Sequence, residues 1–285
     1  MRAVLLSARA RAGTEAVLAQ VRATVARHAD VVGEFDVNED IPAGLAADRA
    51  VVVGGDGTIM AALRQFVGRA VPVVGVNIGR LGFLAEFDAA NLAAHAATVF
   101  GPTPAVRQRM VLSVAVRGAD GAARYEGLAV NDCVVTAGQP FRMIELALRL
   151  GGETGPEFLG DGIIVATPVG STAYNASAGG PIVHPDVEAI VLTPSAAHSL
   201  AFRPVVLPSR LAVEARVVRA NEGTTLVLDG HINVGLRVGD TVTAARHHAM
   251  ARIVARPESS YWETLVDKMR WAEPPNYARP ENTPG

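Results

Sequence analysis

The chain has 285 residues, 49% hydrophobic and 19% charged, which suits one large domain or two modest ones and rules out a disordered chain. A formal net charge of -2, with no long run of like charge, argues against a dedicated nucleic-acid surface. Lys268 is the only lysine, so neither a P-loop, which needs a lysine after its glycines, nor a Schiff-base lysine fits. In chain order, Ala3 to Leu6 predicts a short buried strand and Thr14 to His28 a helix with Val17, Leu18, Val21 and Val25 on one face. Ala50 to Val53 predicts a second buried strand, ended by Gly54-Gly55-Asp56-Gly57. A helix over Thr58 to Val67 follows, with Ile59, Ala62, Leu63 and Phe66 at helical spacing, then a strand over Val71 to Val76 and a helix over Asn91 to Phe100. Strands alternating with helices imply an open parallel sheet with helices on both faces.

The pattern changes near Gly101-Pro102-Thr103-Pro104. Beyond it, Met110 to Val116, Leu128 to Thr136, Ile144 to Leu150, Ile163 to Ala166, Leu211 to Val218 and Thr225 to Leu228 predict strands separated by Gly, Pro and Asp. Ser171 to Ala178 predicts a short helix with a Ser or Thr cap and Gly179-Gly180-Pro181 as its stop. Tyr261 to Trp271 predicts a terminal helix, with Pro274 to Gly285 loose beyond it. The expected fold class is therefore an α/β N-terminal domain followed by a β-rich second domain. A single cysteine, Cys133, makes no internal disulfide and fits a reducing cytoplasm; no apolar run is long enough to span a membrane. Cys133, Trp262 and Trp271 read as packing residues, and the pair His247-His248 as surface, with no metal-ligand spacing among the histidines.

Three stretches carry chemistry. Gly54-Gly55-Asp56-Gly57-Thr58 ends a buried strand and opens a helix, the place where open α/β sheets bind ligands. Its glycines let backbone approach an anion, and free N–H groups at the helix start donate to phosphate. A carboxylate beside such a site repels phosphate unless it does chemistry, although a tight turn with a solvated Asp has the same residues. Asn131-Asp132 interrupts an apolar strand; the pair suits ribose hydroxyls, and equally a bulge or strand end. Asp161-Gly162 and Thr167 to Pro181 form the densest stretch of glycine, small and hydroxyl residues, open to a flat ligand, with Tyr174 available for stacking.

Together these stretches resemble the NAD kinase family over nearly the whole chain. The likeness runs from Gly54-Gly55-Asp56-Gly57-Thr58 through Gly75 to Leu84, Asn131-Asp132, Thr167 to Pro181, Leu192-Thr193-Pro194, Arg203-Pro204 and Asp229-Gly230. The glycine-rich turn alone is shared with lipid kinases and phosphofructokinases; Gly170 to Tyr174 followed by Ser177 to Pro181 is the specific element. The resemblance implies phosphoryl transfer from ATP to the 2′-hydroxyl of the adenosine ribose of NAD, giving NADP and ADP, with a divalent cation, Mg²⁺, carried on the ATP phosphates. It implies that Asp56 is the catalytic base, that Gly54, Gly55 and Gly57 belong to the nucleotide site, and that Asn131 and Asp132 contact NAD. Arg142 matches a basic or polar contact, Asp161 the adenine-binding Asp, and Thr172, Ala173, Tyr174, Asn175, Ala176 and Ser177 the NAD-binding loop and helix start. Leu159 stands where some members carry Lys, and His231 where many carry Gln. The implied domains are 1–104, rejoined by the segment 256–285, and an NAD-binding part, 105–255. The implied partners are NAD, ATP and further copies of the chain in a dimer or tetramer that completes NAD sites across subunits, without nucleic acid or membrane. Polyphosphate stays open as an alternative donor, for which Arg80 and its loop serve as well as for ATP. Against this stand a lipid kinase on the same fold, which needs a membrane patch, and a non-catalytic NAD-binding subunit, which has no use for Asp56.

Overall fold

The computed structural model describes residues 1–9, 13–79, 82–139 and 142–271; Arg80 and the segment 274–285 lie outside them. The first third runs β1 (Arg2–Ser7), α1 (Thr14–Val25), β2 (Asp30–Asp36), β3 (Arg49–Val53), α2 (Asp56–Phe66), β4 (Val73–Val76), α3 (Ala89–Val99) and β5 (Val106–Arg109). Then come β6 (Leu112–Arg117), β7 (Ala123–Ala129), β8 (Asp132–Thr136), β9 (Ile144–Leu150), β10 (Glu153–Gly160) and β11 (Gly162–Ala166). A one-turn helix α4 (Tyr174–Ser177) precedes β12 (Ala189–Ser195), β13 (Val205–Pro208), β14 (Val213–Arg219), β15 (Thr225–Leu228), β16 (Ile232–Gly235) and β17 (Thr241–Arg246). The chain closes with β18 (Ala251–Val254) and α5 (Tyr261–Met269).

The first sheet has the order β2-β1-β3-β4-β18-β5, parallel throughout except for β5. Its inner strands are continuous apolar runs because both faces are covered: every residue of β3 is buried. Ile59, Leu63 and Phe66 of α2 pack on one face with Val4, Leu6 and Val52; Leu18, Val21 and Val25 of α1 pack on the other with Leu92 and Val99 of α3. β5 and β18 are the chain's exit from and return to this sheet, so its last two strands come from 106–109 and 251–254.

The rest is two antiparallel sheets, β10-β9-β14-β17-β6-β7 and β13-β12-β11-β8-β15-β16, stacked face to face. β6 and β9 alternate buried and partly exposed positions, sending Leu112, Val114, Val116, Ile144, Leu146 and Leu148 inward against Ile163, Val165, Ile190 and Leu226. Cys133 is buried in this core.

Four local expectations change. Leu128 to Thr136 is not one strand: β7 stops at Ala129 and β8 starts at Asp132, because the chain passes there from one sheet to the other. The helix expected over 171–178 is a 3-10 turn, Val169–Thr172, followed by α4, whose N-terminus at Ala173 has no side-chain cap. The hydroxyls are used elsewhere: Ser171 Oγ donates to the carbonyl of Pro168 and accepts from Val183 N. Trp262 and Trp271, expected as packing residues, are 57% and 48% exposed, clustered beside Tyr261 and His184.

Candidate active site

β3 ends in Gly54 and Gly55, and α2 begins at Asp56, so the first helical amides face the carboxyl end of the parallel strands. A side chain at Gly54 would sit 2.5 Å from Thr58, which is why the turn needs glycine there. The Asp56 carboxylate is not left in solvent. Its two oxygens accept from Phe83 N at 2.9 Å and Leu84 N at 3.3 Å, and the segment comes so close that a Cβ at Gly82 would lie 1.9 Å from Oδ1. Gly82, Phe83 and Leu84 thus form the seat of the Asp56 side chain.

Asp229 organises the opposite wall. It has φ +48° and is followed by Gly230 at φ +72°, a left-handed corner after β15 that suits an Asp-Gly pair. Its carboxylate, fully buried, accepts from three successive amides, Val130 at 3.0 Å, Asn131 at 2.8 Å and Asp132 at 3.3 Å. Those amides lie where β7 gives way to β8 and two of them have no continuous ladder, so Asp229 supplies the acceptor that ends the strand. Arg64, on the last turn of α2, pairs with the same carboxylate at 2.5 Å. The helix that carries Asp56 is thereby tied to the strand end that carries Asn131 and Asp132. His231 lies close by: a Cβ at Gly57 would be 3.4 Å from its ring, and its Nδ1 lies 2.7 Å from the Asp229 carbonyl. Sequence patterning missed Arg64 and gave Asp229 no role; the only local signal was the Asp-Gly pair.

The loop after β11 is stitched to the same wall. Thr167 Oγ1 donates to the Val130 carbonyl at 2.7 Å, Thr167 N to that of Asn131, and a side chain at Gly170 would meet the Asn131 carbonyl at 2.0 Å. Asn175 is fully buried: it donates to the Ser171 and Pro181 carbonyls and accepts from Thr193 Oγ1. It therefore shapes the loop from inside and presents no free group to a ligand. Ala173 and Tyr174, the latter 47% exposed, line a cavity of about 390 Å³ with Asn131, Asp132, Thr136, Val227 and Asp229. That volume is in the range of pockets for small organic ligands. Asp132 is buried on its floor. Burial first, and then the charge of Asp229, push its carboxyl up to about 7, against the pull of the Tyr174 amide.

Not every expected residue reaches this cavity. Asp161 is exposed at the start of β11, and β11 runs antiparallel to β8 with Gly162 opposite Thr136 and Ala166 opposite Asp132, so Asp161 lies at the far end of the strand from Asp132. Leu159 is on β10 in the other sheet, and Arg142 is exposed, with its carbonyl accepting from Asn221. Thr172 lines a separate, smaller cavity with Gly82 and Phe83. Among the described residues, no group of three or more His, Cys, Asp or Glu side chains is placed to hold a metal ion, and no helix is long and apolar enough to cross a membrane.

Residues 15–102 match the family model of the ATP-NAD kinase N-terminal domain, and residues 130–255 that of the C-terminal domain. The NAD kinase of Geobacter metallireducens is 37% identical over 254 residues, 89% of this chain and 88% of its own, and that of Rhodopirellula baltica 34% identical over 273 residues, 95% and 87%. An NAD kinase from Archaeoglobus fulgidus, solved in complex with ATP, superposes with a TM-score of 0.74 at 28% identity, covering 90% of this chain and 94% of its own. Yeast NADH kinase, solved with NADH, shares the fold with a TM-score of 0.85 at 22% identity, covering 98% and 90%. With relatives of this identity covering most of both chains, and a glycine-rich Asp turn closed against an Asn-Asp strand end, the chain belongs to the ATP-NAD kinase family.

Proposed function

We propose that this chain transfers the γ-phosphoryl group of ATP to the 2′-hydroxyl of the adenosine ribose of NAD, releasing NADP and ADP, with Asp56 as the base. The observation that carries this is the Arg64–Asp229 ion pair, which ties the helix that begins at Asp56 to the strand end of Asn131 and Asp132 at the cavity. Asn131 and Asp132 bind the ribose diol, Ala173 and Tyr174 face the base, and the Gly54–Gly57 amides receive phosphate. Asp56 takes the hydroxyl proton as the oxygen attacks phosphorus; the phosphoryl group passes to that oxygen and the bond to ADP breaks. The amides of Phe83 and Leu84 hold its carboxylate in place.

The cation enters as part of the donor, the Mg²⁺ complex of ATP. This fits a site in which Asp56, the carboxylate on the glycine turn, is already engaged by two amides and no cluster of ligands is built among the described residues. Asp161, Leu159 and Arg142 act in the site of a neighbouring copy, in a homodimer or homotetramer, which accounts for their distance from the cavity in their own chain. Residues 1–104 with 256–285, and 105–255, are the two proposed domains, located in the cytoplasm.

The test is an assay of the purified chain with NAD or NADH, Mg²⁺, and ATP or polyphosphate. NADP should form from NAD and ATP and stop in excess EDTA. Undiminished turnover in EDTA would defeat the metal-bound donor, and no phosphorylation of NAD with any donor would defeat the whole assignment.

A further inference from the structure

Thr193 puts a hydroxyl in an apolar place. Side chains alternate along β12, sending Ile190 and Leu192 into the core between the two antiparallel sheets and Val191 and Thr193 to the other face. In the register of the sheet Thr193 stands opposite Ile164, and Ile164 opposite Val134, so its surroundings on that face are the apolar patch of Val134, Ile164, Ala166 and Val191. A buried hydroxyl is costly there unless it is hydrogen-bonded. Thr193 has no solvent exposure, and its hydroxyl donates to Asn175 Oδ1 at 2.6 Å.

Asn175 connects this hydroxyl to the ligand cavity. Its Nδ2 donates to the Ser171 carbonyl at 2.8 Å and to the Pro181 carbonyl at 3.0 Å, which ties together the two ends of the loop. A Cβ at Gly180 would lie 2.0 Å from Asn175 Oδ1, so the loop closes on the amide without slack. The residue before it, Tyr174, lines the cavity with Asp132, and the Tyr174 backbone N–H is hydrogen-bonded to the Asp132 carboxylate. Asp132 lies on β8, two strands from β12 and on the same face as Val134. Two inter-strand spacings are roughly 10 Å, too far for Thr193 to reach Asp132 itself. Asn175 and Tyr174 span that gap.

We propose that Thr193 and Asn175 are positioning residues for Asp132: their buried hydrogen bond fixes the loop that holds the Tyr174 amide on the Asp132 carboxylate, and so governs how strongly that carboxylate grips a ribose diol. Neither side chain touches the ligand. The diol itself rests on the assignment of the cavity to NAD made above. An amide that donates to a carboxyl favours its ionised form, and Asp132 needs that help, because burial and the charge of Asp229 push it up to about 7. The other titratable groups around it are Asp229 with its partner Arg64, Tyr125 near that pair, His231 at the Asp229 carbonyl, and the buried thiol of Cys133. None of them is hydrogen-bonded to Thr193 or Asn175, so a change at Thr193 reaches Asp132 through the loop.

The test compares Thr193→Val, which removes the hydroxyl, with Thr193→Ser, which keeps it. The Asp132 carboxyl is followed against pH by NMR on the full chain labelled with ¹³C at aspartate, its resonance identified by its loss in Asp132→Asn. Thr193→Val should titrate about one pH unit above the parent, the effect of weakening one charge-assisted hydrogen bond, and Thr193→Ser with the parent. Isothermal titration with NAD should then show about fivefold weaker binding in Thr193→Val at pH 7, a difference that closes by about pH 9 as both carboxyls ionise. KM for ATP should not move. If Thr193→Val does not fold, Asn175→Ser, which removes the clamp without adding volume, is read in the same way. A lower melting temperature with an unmoved midpoint, or an equal shift in Thr193→Ser, would overturn the proposal. A parent chain that binds no NAD, with the midpoint still shifted in Thr193→Val, would defeat the assignment of the cavity and leave the positioning of Asp132 standing.

Discussion

Asp56 and Asp132 carry different assignments and have different surroundings. Asp56 is met by two backbone amides, which fix its carboxylate. Asp56→Asn keeps the shape and one of the two accepting oxygens but not the proton acceptor. Its kcat should fall about 10²–10⁴-fold with little change in KM for NAD; turnover within a few-fold of the parent in steady-state kinetics would make Asp56 a turn former only. Asp132 is buried next to Asp229, and its carboxyl titrates near neutrality. The ionised form accepts from a ribose diol more strongly, so KM for NAD should fall as pH rises from about 6 to 8. Asp132→Asn should abolish that dependence, and an equally steep profile in the variant would remove Asp132 from the diol site. The sign for stability is the reverse. The carboxyl is raised from the ordinary 3.8 to about 7, so its cost to folding is absent below the lower value and complete above the upper one. The Asn variant should melt higher than the parent at pH 8 and no higher at pH 4.

At the scale of elements, α2 is positioned by both of its ends. Its first residue carries Asp56, and its last turn carries Arg64, bound to a carboxylate with no solvent exposure. Arg64→Ala leaves Asp229 buried without its cation, which should cost about 3 kcal/mol and lower the melting temperature by about 6–12 °C. Because Asp229 also holds the amides of Val130, Asn131 and Asp132, KM for NAD should rise more than KM for ATP. Arg64→Lys restores the charge without the planar fork and should recover part of both effects. Equal changes in the two Michaelis constants, measured at a temperature where the variant is folded, would reduce the pair to a structural brace.

At the scale of the whole molecule, the exposed position of Asp161 in a single chain makes a specific demand on assembly. If copies share sites, Asp161→Ala should weaken NAD binding about ten- to a hundredfold, the effect of one charge-assisted hydrogen bond, and leave ATP binding alone. Light scattering on the active enzyme should then give a dimer or tetramer. A fully active monomer at assay concentration, or equal effects on NAD and ATP, would count against shared sites.

Much of the first sheet is legible in the sequence, since β3, β4 and the helices between them show undiluted apolar runs and helical spacing. The same holds for the glycine turn, whose local backbone needs glycine whatever surrounds it. Strands β2, β10 and β16 are not legible: they are partly exposed and all lie at sheet edges, where pairing with a neighbour, not their own pattern, makes them strands. The resemblance implies Asn175 as part of the NAD-binding loop; sequence does not say which way an amide points, and packing turns this one inward. The sequence by itself determined the family and the fold class, because these rest on motifs and on apolar periodicity that are local along the chain. Only the tertiary structure decided that Arg64 and Asp229 meet, since a buried ion pair between residues 165 positions apart leaves no periodic trace along the chain.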